Sequence, residues 1–396
     1  MRYLLLALTA LVLSRTATAQ GRFPLTIGVQ DSVQSKTLSE TRRYLVYTPP
    51  SYSDTTFAPQ RYPVLYLLDG DAHFHSVSGL VQILGTGVNG TYAVPEMIVV
   101  AIPNRDRTRD MTPTKVSAGL DGRPNQAFRT SGGMANFLSF IKDELIPEID
   151  TKYRTMPYRV FVGHSLGGIT TINALFTIPE TFNAYVAIDP SLWWDNAVLL
   201  KATKERLSTA DYRNKVLYLG QANTINPDDS TANPHFNAMV RFNSLARTYN
   251  TSGLRFGYKY YDNDDHGSVP LITTYDALRF IFDGYRLDLG CLLGSPALLT
   301  AHYENISTKL GAPFTPSEAI VSQLGQFALT QDTAKAIGFF EIGARLYPNS
   351  PRSYDRLGAL WAAKGDKAKA TGYYRRSLEL NPQNTSAAEA LKKLQQ

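Results

Sequence analysis

The sequence predicts an α/β fold, a mostly parallel sheet with helices on both faces, followed by a small all-α unit of helical repeats. Three observations predict it. Short apolar runs bounded by turn residues recur: "YPVLYLLDG" (62–70), "EMIVVAIPN" (96–104), "YRVFVG" (158–163), "AYVAIDP" (184–190) and "KVLYLG" (215–220). Runs this short fit strands buried on both faces of a parallel sheet. Helical patterns lie between them, at 133–149, 166–177, about 234–249 and 269–283, and that alternation implies helices on both faces. After residue 313 the strand-like runs stop and alanine-rich helical segments begin.

The elements follow in order. Residues 1–19 read as a signal peptide. Arg2 gives a positive start, Leu4 to Leu13 is almost wholly apolar, and Ala17-Thr18-Ala19 fits the small-residue cleavage rule. The apolar run is about half of what a spanning helix needs. The mature chain is therefore expected to be exported, periplasmic or secreted, without stable membrane insertion. Loss of Arg2 and Arg15 lowers the formal net charge of +6 by two. A charge that mild, with no basic stripe, excludes nucleic acid as a partner. The single cysteine, Cys291, cannot form an internal disulfide. The core must hold without one, and the chain is long enough to build it.

Residues 20–61 read as strands and turns, with "TLSETRRYLVYTPPSY" alternating up to Pro49-Pro50. The connection 104–131 shows no periodicity and carries Arg105, Arg107, Arg109, Arg123 and Arg129. Loops of this length usually have a function. Two readings stand: a surface loop tied by Arg–Asp pairs, or a rim whose arginines, Arg107 among them, contact an anionic or polyhydroxylated ligand. In "GMANFLSFIKDELIPEI" (133–149), Phe137, Phe140, Ile141 and Leu145 share one stripe.

A 34-residue period runs through the C-terminal segment. It pairs Ile320 with Tyr354, Phe327 with Trp361, Ala336 with Ala370, Phe340 with Tyr374, Leu346 with Leu380 and Pro348 with Pro382. That spacing and residue usage match tetratricopeptide repeats, pairs of antiparallel helices. Leu357-Gly358 occupy their expected places, where the first copy has Gln323-Leu324, and "TSAAEALKKLQQ" reads as a capping helix. Two repeats are few for independent stability, so the unit is expected to dock on the larger domain. The layout is thus a leader at 1–19, an α/β domain at 20–290, a helical linker at 291–315 and repeats with a cap at 316–396.

The chemistry centres on Gly163-His164-Ser165-Leu166-Gly167. G-x-S-x-G alone is weak evidence, but here a strand pattern leads into it and a helical pattern leaves it. This is the strand–turn–helix setting that lifts a nucleophilic serine above a sheet edge. Glycines at 163 and 167 leave room where strand and helix backbones crowd. A serine hydroxyl needs a base, and His266, in the loop after "RFGYKYY" and before a helix at Pro270, stands where chain order places one. His164 should point away from Ser165, and His73 and His75 are candidates for substrate contact. A carboxylate should orient the imidazole. After "KVLYLG" come Gln221 and Asn223, with Asp228 and Asp229 further on. Asp229 and Asp228 rank first, Asp189 in "AIDPSLWW" stands behind them, and a Ser–His pair helped only by Asn223 remains open. Asp262, Asp264 and Asp265 are close to His266 in sequence, but loop neighbours seldom orient an imidazole. The oxyanion donors should be the backbone N–H of Leu166 and of Asp71, after Gly70. Trp193 and Trp194 either wall a substrate pocket or belong to the core.

The segments "YPVLYLLDGDAHF", "RTRDMTPT", "FLSFIKDELIPEIDTKYRT", "GHSLGG", "NAYVAIDPSLWWDN" and "DNDDHGSVP" resemble the Putative esterase (esterase D-like) family of α/β-hydrolases over residues 25–285. "LDGDAHF" and "RTRDMTPT" look most like its ferric-siderophore esterase branch. The resemblance implies a serine hydrolase without metal or organic cofactor, with Ser165 as nucleophile, His266 as base, and Leu166 and Asp71 as oxyanion donors. Two departures stand out. Asn223 occupies a position where the family often has an acid, and Asp189 replaces the serine more usual before "PSLWW".

Two functional classes follow. One is an exported serine esterase acting on a small-molecule ester, with acyl transfer at the same site as its chemical variant. The other is a binding protein whose repeats hold a protein partner and whose hydrolase domain is vestigial.

Overall fold

The computed structural model describes residues 25–86, 92–119, 123–226, 233–288, 290 and 294–396. The leader, Cys291, Asp228 and Asp229 lie outside the described residues.

Eight strands form one sheet: β1 (Val29–Ser35), β2 (Glu40–Tyr47), β3 (Tyr62–Leu67), β4 (Ile98–Ala101), β5 (Thr155–His164), β6 (Ala184–Ile188), β7 (Val216–Ala222) and β8 (Arg255–Tyr261). Their order is β1-β2-β4-β3-β5-β6-β7-β8. β1 and β2 pair antiparallel, as do β2 and β4, and every later pair is parallel. This is the α/β-hydrolase arrangement that the sequence predicts. β3, β4, β6 and β7 are buried at every residue, and β5 from Val160 to Gly163, because both faces of the sheet are covered there.

Successive residues of β3 show how the two faces divide. Val64, Tyr66 and Leu68 join one apolar cluster, while Leu65 and Leu67 join the other. The first is closed by helix 134–152, α4 (Leu166–Thr177), α5 (Trp194–Thr209) and α6 (Pro234–Tyr249). Helix 134–152 runs as α2 (Met134–Phe140), a π-helical stretch Ile141–Leu145 and α3 (Ile146–Lys152). The second is closed by α1 (Gly70–Gly85), α7 (Val269–Ile281), α8 (Pro296–Leu310) and the helices beyond. Two helices, α1 and α5, lie where the sequence predicts none, although Phe74, Val77, Val81 and Leu84 in one and Leu199, Leu200, Thr203 and Leu207 in the other recur at helical spacing. α1 starts directly at Gly70 behind Asp69, which adopts a left-handed φ of 52°. α5 contains three consecutive left-handed residues, Asp195, Asn196 and Ala197.

The 104–131 connection takes the tied-loop form. Arg105 and Arg109 pair with Glu40 at 2.8 and 2.6 Å, Arg109 also with Asp110 at 2.7 Å, and Arg107 with Asp69 at 2.6 Å. Phe128 packs edge-on against Trp194 at 4.9 Å.

The C-terminal helices pair as α9 (Glu318–Ala328) with α10 (Thr333–Leu346) and α11 (Pro351–Ala363) with α12 (Lys367–Leu380), with α13 (Thr385–Leu394) at the end. The second helices keep the 34-residue spacing, but the first helices align at 33. A Cβ on Gly325 would meet the Phe340 ring at 2.8 Å, and one on Gly358 would meet the Tyr374 ring at 2.8 Å. Leu324 therefore corresponds to Leu357, both buried, while Phe327 is 46% exposed and is not the counterpart of Trp361. The segment read as a linker contains α8, whose Leu299, Tyr303, Ile306 and Leu310 are buried in the core under the sheet.

Candidate active site

β3 and β5 are adjacent, yet the chain leaves β3 toward β4 on one side and β5 toward β6 on the other. A crevice opens outside the carboxyl ends of strands where the order reverses in this way. Ser165 stands there, between His164, the last residue of β5, and Leu166, the first of α4. Its φ of 61° and ψ of −115° are strained for a residue with a Cβ. Neighbouring glycines make the turn possible. A Cβ on Gly163 would lie 2.2 Å from the carbonyl oxygen of Gly167, and one on Gly168 would lie 2.9 Å from Pro190.

Backbone bonds place the next strand end against the serine. Ser165 N–H donates to the Ile188 carbonyl at 2.9 Å, and Ser191 N–H donates to the Ser165 carbonyl at 3.0 Å. The two hydroxyls, Ser165 Oγ and Ser191 Oγ, are 3.2 Å apart. Between Ile188 and Ser191 sits Asp189, fully buried with a φ of 40°.

Asp189 is the carboxylate that the His266 imidazole meets: His266 Nδ1 lies 2.5 Å from its Oδ2. Its Oδ1 accepts the Ala222 N–H at 2.8 Å. His235, which no sequence argument singled out, reaches the same Oδ2 through Nε2 at 2.8 Å. Burial works against the Asp189 charge, but hydrogen bonds from His235 and His266 outweigh it and hold the carboxyl well below its usual range. Asp229 and Asp228, the first-ranked candidates, lie outside the described residues; the carboxylate against His266 Nδ1 is Asp189, on the strand end that bonds to Ser165. Asn223 does not face the imidazole. Its side chain donates to the Asp262 carbonyl at 3.1 Å and its N–H to the Asp264 carbonyl at 2.8 Å, anchoring the His266 loop. Asp265 accepts the N–H groups of Gly267 and Ser268, and Asp264 accepts from Ser268 Oγ, so both shape that loop.

Four histidine rings stand in a row: His73 to His164 at 6.0 Å between centroids, His164 to His266 at 4.4 Å, and His266 to His235 at 5.3 Å. Burial, then the neighbouring His266 and His73, push His164 down to about 4, so it is an uncharged wall at neutral pH. His73 is half-buried, edge-on to that wall; His75 is exposed.

Leu166 and Asp71 both lie in first turns, of α4 and α1. N–H groups there have no acceptor within their own helix, and the two helices start at the ends of paired strands. Three other expectations fare differently. Arg107 grips Asp69 with Nε and Nη2 at 2.6 and 3.0 Å and donates to the His164 carbonyl at 3.1 Å. It braces the serine turn from behind. Burial disfavours the Asp69 charge, but Arg107 outweighs it and holds that carboxyl low. Trp194 is 1% exposed, bonded through Nε1 to Thr114 Oγ1 at 3.2 Å, and belongs to the core. Trp193 is half-buried and keeps a face toward solvent.

Known proteins match this architecture. The family model described as "Putative esterase" matches residues 35–265. The ferri-bacillibactin esterase BesA of Bacillus subtilis is 30% identical over 262 residues, 64% of this chain and 90% of that protein. The siderophore triacetylfusarinine C esterase of Aspergillus fumigatus is 27% identical over 158 residues, 37% of this chain and 50% of that protein. Among solved structures, an IroE-like serine hydrolase from Shewanella oneidensis superposes with a TM-score of 0.72 at 32% identity, covering 81% of this chain and 99% of that one. An uncharacterised protein from Capnocytophaga ochracea shares the fold at a TM-score of 0.60 and 18% identity, covering 93% of this chain and 99% of that one. That likeness extends into the C-terminal helices.

Proposed function

The chain belongs to the Putative esterase family, and from that membership we propose that it is an exported serine esterase cleaving a carboxylic ester through an acyl-enzyme on Ser165. One observation carries the reading: a buried carboxylate 2.5 Å from His266 Nδ1, on the strand end that hydrogen-bonds to Ser165. Asp189 accepts a hydrogen bond from the Nδ1–H of His266, which leaves Nε2 as the ring nitrogen free to act as base. His266 takes the Ser165 proton as Oγ attacks the ester carbonyl. The oxyanion develops toward the Leu166 and Asp71 N–H groups, at the positive ends of two helices. His266 then gives its proton to the leaving alcohol and later activates water to release the acyl group.

The leader-like residues 1–19 support export. The names of the relatives support a siderophore-type ester as substrate, with the exposed face of Trp193 as the surface for an acyl or aromatic group. The C-terminal hairpins are read as tetratricopeptide-type repeats docked on the esterase domain.

The test is turnover of p-nitrophenyl acetate and of a catecholate triester, with Ser165→Ala as control, alongside labelling by a fluorophosphonate. Ser165→Ala should lose at least about a thousandfold in kcat and all labelling. Equal rates for the two proteins would end the esterase reading.

A further inference from the structure

Asp189 spends its acceptor capacity unusually. Oδ1 takes a backbone N–H from Ala222, and Oδ2 takes two imidazoles, His266 Nδ1 at 2.5 Å and His235 Nε2 at 2.8 Å. A carboxylate oxygen has two lone pairs in plane, so the oxygen facing the base is shared. His235 comes from a different element, the first turn of α6, and is 18% exposed. Its Nδ1 is covered and has no hydrogen-bond partner among the described residues. The tautomer with one proton on Nε2 fits that setting, since a second proton on Nδ1 would be a buried donor without an acceptor.

We propose that His235 is a positioning residue for the hydrolytic reaction: it holds Asp189 in place and draws off part of the Oδ2 charge, which weakens the grip of Asp189 on a protonated His266 and keeps the base available at lower pH. The proposal rests on the Ser165–His266–Asp189 reading above. Its geometric half follows from the backbone. Asp189 sits at a left-handed φ of 40° on a strand end, and donors on both oxygens fix its carboxylate plane. Its electrostatic half follows from competition. A donor added to an anion stabilises the anion alone and so reduces what the anion gives to a neighbouring cation.

The cluster of Asp189, His235 and His266 has the ligand types of a metal site. Its contacts are of hydrogen-bond length, however, whereas two atoms bound to one zinc at about 2.0–2.1 Å each lie roughly 3.3 Å apart. The other titratable groups around His266 are accounted for. The His164 ring lies 4.4 Å from it, tilted by 42°, with His73 beyond. Asp69 is neutralised by Arg107. Asp264 and Asp265 are bound to Ser268 and Gly267 of the loop.

Three variants of the full chain separate donor, charge and shape. His235→Phe keeps a ring without a donor. His235→Gln keeps an N–H near the place of Nε2 and never titrates. His235→Asn carries its amide too short to reach Oδ2 and replaces the Phe variant if that one fails to fold. In His235→Phe the acid limb of the kcat/KM profile is expected to move up by about one pH unit. Plateau kcat should fall about tenfold with KM within about twofold. His235→Gln is expected to keep the wild-type limb. The imidazole nitrogens of His266, followed by NMR across the same pH range, should move with the limb. That readout needs no turnover, so it tests the role of His235 even if Ser165 proves not to be the nucleophile. An acid limb and a His266 titration unmoved in His235→Phe would overturn the proposal. So would a His235→Gln that shifts as far as His235→Phe, since charge and not the hydrogen bond would then be acting.

Discussion

Asp189 differs from an ordinary hydrogen-bonded aspartate in what its replacement does to the proton on its neighbour. An asparagine there would offer an N–H or a neutral oxygen to His266 Nδ1, and the ring could settle with its proton on the wrong nitrogen. Asp189→Asn is expected to lower kcat by roughly 10³–10⁴, the size such tautomer errors cost elsewhere, while urea denaturation midpoints move far less than that loss would suggest. Asp229→Ala and Asp228→Ala should stay within about twofold of wild type in the same p-nitrophenyl acetate assay. A large loss from either, with Asp189→Asn active, would return the acid to the loop after β7. The same residue-scale logic separates the two tryptophans and the arginines. Trp194 is buried with its Nε1 on Thr114, which removes it from the substrate side, while Arg107 spends Nε and Nη2 on Asp69 and the His164 carbonyl.

At the scale of elements, the site depends on how closely α4 lies on the end of β6. Gly168 faces Pro190, and the missing Cβ would stand 2.9 Å from its Cα and Cβ and 3.1 Å from the Ile188 carbonyl. In an open helix, Gly→Ala stabilises by about 0.5–1 kcal/mol. Here the sign should reverse. Gly168→Ala is expected to destabilise by about 1–3 kcal/mol, as overpacking does, and to cut kcat about 10–100-fold by moving Asp189 away from His266. A thermal melt with a raised midpoint would show that the approach is looser than these distances. The repeat hairpins obey the same rule, since Gly325 and Gly358 admit the rings of Phe340 and Tyr374. That contact, more than a fixed period, sets how their helices align, and so the 34-residue count slips by one in the first helix.

For the whole molecule, the helical end is part of the fold. The apolar cluster under the sheet runs without a break from Leu65 and Val160 through Leu299 and Phe314 to Val321, Leu324 and Phe340. Glu318, 2% exposed, ties the seam: its Oε2 accepts the Ala58 N–H at 2.6 Å and its Oε1 the Ser350 hydroxyl at 2.5 Å. Arg352 adds a bond to the Thr56 carbonyl at 2.7 Å and a face-on contact with Phe57. Glu318→Ala leaves the buried Ser350 hydroxyl and the half-buried Ala58 N–H without their acceptor and should cost about 1–3 kcal/mol. Because the cluster under the sheet continues into α9, α10 and α11, the loss should appear as a lower urea midpoint in a single transition. Trp193 and Trp194 in one region and Trp361 in the other should report it alike, with Trp361→Phe separating their signals. Two resolved transitions would mean that the helices unfold on their own. Among the described residues, no helix is long and apolar enough to cross a membrane.

Strand runs, turn residues and the G-x-S-x-G setting are local, and local chemistry is what a sequence displays. They determined the α/β-hydrolase sheet, the place of Ser165 at a strained turn, and His266 in the loop after the last strand. The helices α1 and α5 were less legible, although Phe74, Val77, Val81 and Leu84 in one and Leu199, Leu200, Thr203 and Leu207 in the other recur at helical spacing, because left-handed residues at Asp69 and Asp195–Ala197 and no capping residue mark their starts. What only the tertiary structure decided is which carboxylate and which further histidine meet His266. Asp189, His235 and His266 lie on separate elements, and strand register, not spacing along the chain, brings them to one oxygen atom.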